Sequence, residues 1–128
     1  MKTPEVPVSW GELIDKITIL EIKAARLKNP PAVANVKKEL ALLAAKAGAA
    51  PASGEMTKLK AGLTKVNEAL WEIEDKIREK EARQEFDPEF VELARSVYKR
   101  NDERAAIKRQ INTLLSSDLM EEKSYPSY

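Results

Sequence analysis

Apolar residues in the middle of the chain recur at alternating intervals of three and four residues. Between Met56 and Arg83 this spacing continues without interruption through most of the segment. Such a heptad seam is typical of a helix that packs lengthwise against another helix. We therefore expect a helix over residues 55–83. The residues of its seam are Met56, Leu59, Leu63, Val66, Leu70, Ile73 and Ile77.

A helix is also expected near the N-terminus, from about residue 10 to residue 28. Ser9 is a candidate N-cap, and Glu12, three residues later, is its candidate partner in a capping box. A helix that is apolar on more than one face must bury more than one face. Helix one is therefore either central in a bundle or in contact with a second copy of the protein. Its seam comprises Trp10, Leu13, Ile17, Leu20, Ala24 and Leu27, and its additional apolar residues are Ile14, Ile19 and Ile22.

Prolines and capping residues divide the rest of the chain. Asn29-Pro30-Pro31 ends helix one, because proline cannot continue a helix and disfavours helix in the residue before it. A second helix is expected over residues 32–46. After a linker of small residues, Ser53 is the candidate cap of the helix over 55–83. Asp87, followed by Pro88, is the candidate cap of a fourth helix.

The fourth helix is expected over residues 88–115, followed by a flexible tail at 116–128. The short connections predict two antiparallel helical hairpins. The sequence thus predicts an all-α fold, a four-helix bundle or antiparallel coiled coil, with residues 1–128 forming a single domain.

Composition excludes several classes of function. The chain has 128 residues, a net charge of +1, no cysteine and no histidine. The absence of both residue types removes the commonest general base, the commonest transition-metal ligand and all thiol chemistry. A balanced charge gives no reason to expect nucleic acid or an anionic membrane as partner. No signal peptide or membrane-spanning run is apparent, so we expect a cytoplasmic protein with neither cofactor nor metal.

The middle of helix four is polar where its two ends are apolar. Its expected seam reads Phe90, Ala94, Val97, Asn101, Arg104, Lys108, Ile111 and Leu115. Antiparallel pairing with helix three places Asn67 near Arg104. A flanking polar stripe on helix three consists of Asn67, Trp71, Glu74 and Arg78. Two polar stripes are therefore expected to approach one another near the middle of this hairpin.

These stripes have two interpretations. In the structural one, Asn101 sets the helix register, Arg104 and Lys108 lay their stems across the seam, and Trp71 belongs to the core. In the functional one, three cations and an aromatic wall form an anion pocket with two amides as hydrogen-bond partners. The candidate binding residues are Asn67, Trp71, Glu74, Arg78, Asn101, Arg104 and Lys108.

Other candidate sites are weaker. Glu68, Glu72 and Asp75 suit a hard metal by chemistry, but the heptad phase directs them outward, which favours a solvated face. The basic stretch 95–109 lacks the interleaved aromatics of a nucleic-acid interface. No serine has a histidine to activate it, and no glycine-rich phosphate loop is present.

Three long segments resemble one protein family. They are PVSWGELIDKITILEIK at residues 7–23, VNEALWEIEDKIR at 66–78 and FVELARSVYKRNDERAAIKRQIN at 90–112, with the ending EEKSY also similar. The family resembled is an uncharacterised bacterial family of small helical proteins, a domain of unknown function. Some of its members accompany surface-polysaccharide or glycosyltransferase proteins. The resemblance therefore implies an accessory role and brings no catalytic residue.

The segment ELIDKITILEIKAARL at residues 12–27 is also similar to the first helix of all-helical chorismate mutases, which hold a dianion with arginine, lysine and glutamate. The arginine expected before Ile14-Asp15 is replaced by Leu13. Two functional hypotheses follow. The first is a non-catalytic helical interaction or scaffold module, self-associating as a homodimer through helix one. The alternative is a small-anion-binding protein or chorismate-mutase-like enzyme that uses the Arg/Lys/Glu cluster.

Overall fold

The computed structural model describes residues 1–128 and contains four α-helices and no strand. Helix α1 spans Trp10–Arg26, α2 spans Pro30–Ala47, α3 spans Gly54–Ala82 and α4 spans Pro88–Leu114. The helices pack against one another, which confirms the expected all-α four-helix fold.

Short polar side chains begin the helices where the sequence expects them. Ser9, Ser53 and Asp87 each accept a hydrogen bond from the backbone N–H three residues on, at 2.9 to 3.1 Å. These bonds satisfy donors that have no partner inside the helix. Asn29 does the same for α2, at 3.1 Å, so α2 begins at Pro30 rather than at residue 32.

Helix α1 is the centre of the bundle. It packs against each of the other three helices, whereas α2 packs against α1 alone. Asp15 contacts Asn67, and Arg26 contacts Glu72, so α1 runs parallel to α3. The buried apolar cluster at its heart is formed by Leu13, Ile14, Ile17, Met56, Leu63 and Ile111.

Most of the surplus apolar surface of helix one is buried within a single chain, and Ile19 is half-buried at the surface. Its buried apolar residues, which belong to more than one face, are Leu13, Ile14, Ile17, Leu20 and Ile22. Three neighbouring helices are enough to account for them. Of the two alternatives for helix one, the structure therefore shows the central position in a bundle.

The first turn of α1 lies directly against the end of α4. The backbone N–H of Gly11 donates to Asn112 Oδ1 at 2.6 Å, and that of Trp10 donates to Ser117 Oγ at 3.3 Å. A Cβ atom at Gly11 would overlap the carbonyl oxygen of Lys108. Glycine is thus required for this close approach of two helices. Glu12 does not complete the expected capping box, because its carboxylate lies 2.7 Å from Lys108 Nζ.

The turn between α3 and α4 is held by one lysine. Lys80 is 6% exposed, and its Nζ lies 2.8 Å from Asp87 and 3.3 Å from Glu89. Gln84 follows the end of α3 with φ of 54°, a left-handed conformation in which helices commonly end. The ion pairs therefore fasten the start of α4 to the last turn of α3.

One seam position of α4 differs from the sequence expectation. Ala94 is exposed, and Leu93 is half-buried in its place. The seam therefore advances by three residues from Phe90 to Leu93 and by four to Val97, which is the alternative phase of the same heptad.

The tail, expected to be loosely held, runs back along α4 and contacts it at several points. Arg109 Nη1 lies 3.4 Å from Glu122. The Tyr128 hydroxyl donates to Asp102 at 2.5 Å, and its ring packs edge-on against Tyr98. None of the four helices combines the length and the apolar character that crossing a membrane requires.

Candidate functional site

A buried carboxylate lies where α1, α3 and α4 meet. Asp15 is 0% exposed. Arg104 donates to it from Nε, at 2.9 Å, and from Nη2. Asn67 Nδ2 donates to the same carboxylate at 3.0 Å and to Thr18 Oγ1 at 3.0 Å. The Asp15 carboxylate is therefore fully partnered, as a buried charge must be.

This network fixes the side chain of Arg104. Two nitrogens of its guanidinium are held by Asp15, and Nη1 lies 3.5 Å from Asn101 Oδ1. The hydrogen bonds to Asp15 raise the pKa of Arg104 above its ordinary value, so the group stays charged. A bidentate pair of this kind sets position as well as charge. Arg104 consequently enters the neighbouring groove in one defined orientation.

The groove next to Arg104 has a volume of about 480 Å³ and lies between α1, α3 and α4. Six of the seven candidate residues named from the sequence line it: Asn67, Trp71, Glu74, Arg78, Asn101 and Arg104. The other lining residues are Ile19, Ile22, Lys23, Leu70, Asp75 and Val97. From Asn67 to Arg78 the lining extends about 16 Å along α3, at the helical rise of about 1.5 Å per residue.

The cations of the groove are partnered to different degrees. Arg78 Nε lies 3.1 Å from Glu74, but both side chains are largely exposed. An exposed pair of this kind contributes only about 0.3–0.5 kcal/mol, so an anionic ligand can displace it. Lys23 is half-buried and forms no ion pair within the chain. The groove thus contains one cation that is fixed, Arg104, one that is weakly held, Arg78, and one that is free, Lys23.

Trp71 forms part of the groove wall and is supported from α1. The guanidinium of Arg26 lies 6.0 Å from its ring centroid, within the range of a cation–π interaction. Arg26 also lies 3.5 Å from Glu72. The indole ring is half-buried, which leaves part of its surface available to a ligand.

Lys108 is absent from the groove, contrary to the expected pocket. It is 5% exposed, and its Nζ lies 2.7 Å from both Glu12 and Glu121. Burial lowers the pKa of Lys108, but the hydrogen bonds to these two carboxylates outweigh burial and leave the pKa raised. The physical reason is position: Lys108 lies one turn beyond Arg104, where the start of α1 and the tail cover α4.

Sequence reasoning missed Lys23, which lines the groove, and Asp15, which holds Arg104 in place. Gly11, Asp15, Thr18 and Ile22 follow one another at intervals of four, three and four, and all are buried. At about 100° per residue this stripe lies on the side of α1 away from the seam, and its polar members require partners on other helices. The signal in the sequence was a carboxylate, Asp15, and a hydroxyl, Thr18, at helical spacing among the apolar residues of α1.

The polar groups of the lining are amides, carboxylates, cations and one indole. No serine, threonine, tyrosine, cysteine or histidine is among its residues. Planar amide, carboxylate and guanidinium groups surround an apolar floor, the arrangement typical of a site that orients a small polar ligand. The structure contains no group of three or more acidic, histidine or cysteine residues arranged to hold a metal. Asp75, expected on a solvated face, is an exposed carboxylate at the groove edge.

Comparison with known proteins identifies the family. Neither the curated proteins nor the solved structures include a significant match to the chain. One family model, described as "Family of unknown function (DUF6165)", matches residues 4–128. Since that match covers nearly the whole sequence, the chain belongs to this family of unknown function.

Proposed function

We propose that this chain is a non-catalytic binding protein that holds a small anionic ligand in the groove between α1, α3 and α4. The observation that carries the proposal is that Lys23, Arg78 and Arg104 line the same groove as Trp71 and several apolar side chains. Lys23 supplies a charge with no partner in the chain. Arg78 supplies a charge whose ion pair with Glu74 can be displaced, and Arg104 supplies a donor held in place by Asp15. Together these supply both attraction and orientation for an anion.

The acidic residues of the groove narrow the class of ligand. Glu74 and Asp75 lie on the same helix as Trp71 and Arg78. These carboxylates would repel a compact polyanion, whereas they would accept hydrogen bonds from the hydroxyl groups of a ligand. The ligand class that matches is therefore a carboxylate or phosphate at one end with hydroxyls at the other, as in sugar phosphates and sugar acids.

This ligand class agrees with the accessory role implied by the family resemblance. We propose that the protein assists enzymes of bacterial surface-polysaccharide synthesis by binding their charged sugar intermediates. A chorismate-mutase-like reaction receives less support, because Lys108, one of the cations expected to hold the dianion, lies outside the groove. A dimer through helix one forms no part of the proposal, since most of the apolar residues of α1 are buried within the chain.

A thermal-shift panel of dicarboxylates, sugar phosphates, sugar acids and nucleotides tests the proposal. A ligand at about one hundred times its dissociation constant stabilises the folded state by about 2.7 kcal/mol. We expect a sugar phosphate or sugar acid to give the largest shift. No shift with any member at millimolar concentration would contradict the proposal.

The matched variants are Lys23→Ala and Lys76→Ala. Both remove a lysine that has no ion pair within the chain, but only Lys23 lines the groove. The ligand-dependent shift should fall in Lys23→Ala and persist in Lys76→Ala. Equal loss in both would indicate non-specific charge attraction and would also contradict the proposal.

A further inference from the structure

The far end of the α3–α4 hairpin, residues 79–92, is an acidic tip with exposed apolar side chains. It carries six acidic and two basic residues, a net charge of −4. Phe86 is 59% exposed and Val91 is 51% exposed. The ring of Phe86 packs edge-on against Phe90 at 5.2 Å between centroids. Aromatic residues inside a charged surface are typical of an interface anchor.

A second segment of the chain carries the opposite charge. Residues 23–38, which end α1, form the connection and begin α2, contain five basic residues and no acidic one, a net charge of +5. We call this segment the basic turn. The overall charge of +1 therefore hides two regions of opposite sign, and such regions attract one another across an interface.

Several of these charges are unused within the chain. Glu79 and Glu81 at the acidic tip are exposed, and neither forms an ion pair. Lys28 and Lys37 in the basic turn are likewise exposed and unpaired. These four side chains are available to pair with another molecule without breaking a bond inside this one.

No ion pair joins the two regions within one chain. The last turn of α1 lies beside Trp71 and Glu72, where Arg26 contacts both. From Glu72, α3 continues to Ala82, about 15 Å further at the helical rise of about 1.5 Å per residue. Helix α2 does not extend to the hairpin, since it packs against α1 alone. The acidic tip therefore projects beyond the basic turn.

We propose that a second copy of this chain docks on the hairpin, so that the acidic tip of each copy contacts the basic turn of the other. A two-fold axis that sets the two hairpins side by side in opposite directions makes both contacts at once. Such an interface is self-complementary and closes as a dimer. Phe86 and Val91 supply its apolar centre, and Glu79, Glu81, Lys28 and Lys37 supply its ion pairs.

The test is a charge-swap experiment read by multi-angle light scattering at tens of micromolar protein. The wild-type chain should have twice the monomer mass. E79K/E81K and K28E/K37E should each weaken the dimer at least about tenfold, since like charges then face one another. An equimolar mixture of the two variants should return to twice the monomer mass, because every contact in the mixed dimer is complementary.

The combined variant E79K/E81K/K28E/K37E should also be a dimer, since both partners of each pair are reversed together. Phe86→Ala, at an exposed position, should weaken association while leaving the circular dichroism spectrum unchanged. Salt at about 1 M, where the Debye length is about 3 Å, should weaken the wild-type dimer. A wild-type monomer at tens of micromolar protein and low salt, or a mixture of the two variants that stays monomeric there, would overturn the proposal.

Discussion

Arg104 on α4 holds the fully buried carboxylate of Asp15 on α1 with two nitrogens of its guanidinium. The pair ties the central helix to the hairpin that packs around it. The same contact fixes the orientation of Arg104 at the edge of the groove. One ion pair thus serves both the packing of the bundle and the geometry of the candidate site.

Removing one member of this pair should be costly. Arg104→Ala leaves the Asp15 carboxylate buried without a compensating charge, and we expect a loss of about 3–5 kcal/mol in the free energy of unfolding. Asp15→Leu/Arg104→Met, which removes both charges, should lose much less. Urea unfolding followed by circular dichroism measures both. A loss below about 1 kcal/mol for Arg104→Ala would show that the pair is not an essential link.

Gly11→Ala tests the close approach of α1 and α4. The new methyl group would overlap the backbone carbonyl of Lys108, and we expect a loss of about 1–3 kcal/mol from overpacking. Gly54→Ala is the control, because a Cβ atom there meets nothing within 4 Å. The free energy of unfolding of the control should be unchanged or slightly higher. Equal effects at the two glycines would contradict the close packing described for α1.

Gln84→Gly should stabilise the protein. A left-handed backbone costs an L-residue about 1–2 kcal/mol, and glycine avoids that cost. Part of the gain is offset by the greater freedom of glycine in the unfolded chain, about 0.4–1 kcal/mol. A net gain of roughly 0.5 kcal/mol is therefore expected in urea unfolding. A loss of stability would show that the glutamine side chain contributes to the turn.

The tail should contribute to stability in a pH-dependent way. Its hydrogen bond with Lys108 lowers the pKa of Glu121 below the ordinary value of 4.5. A carboxyl group whose pKa is lower in the folded state stabilises that state above the unfolded pKa. The contribution is lost as the pH falls through the folded pKa. Glu121→Gln should therefore be less stable than the wild type near neutral pH, and the difference should shrink below about pH 4.5.

Urea midpoints measured across the acid range test this linkage. Glu122→Gln is the control, because Glu122 pairs only with the exposed Arg109. Its midpoint should follow that of the wild type. A constant difference between Glu121→Gln and the wild type at every pH would mean that the tail acts through packing rather than through the ion pair.

The architecture was predictable because it depends on local patterns. Heptad spacing and capping residues specify helices without knowledge of tertiary contacts, and three expected caps are present. Leu93 and Ala94 show the limit of this reasoning. Either residue gives heptad spacing between Phe90 and Val97. Only the packing of α4 decides which of the two side chains is covered.

The candidate site could be predicted in part from the sequence for a similar reason. Polar residues at intervals of three and four on α3 and α4 share a face, so their grouping follows from periodicity. The partners contributed by α1 did not follow, because heptad spacing does not give the rotation of a third helix. For this reason Asp15, which holds Arg104, and Lys23, which lines the groove, were not expected. Lys108 is absent from the groove because Glu12 of α1 and Glu121 of the tail pair with it.

The most direct test of the groove uses the two tryptophans of the chain as internal probes. Trp71 lines the groove, whereas Trp10 lies at the start of α1 beside the tail. In a ¹H–¹⁵N NMR titration with sugar phosphates and sugar acids, the indole N–H signal of Trp71 should shift saturably and that of Trp10 should stay in place. No saturable shift of Trp71 with any of these compounds, or a shift of Trp10 alone, would contradict binding in the groove.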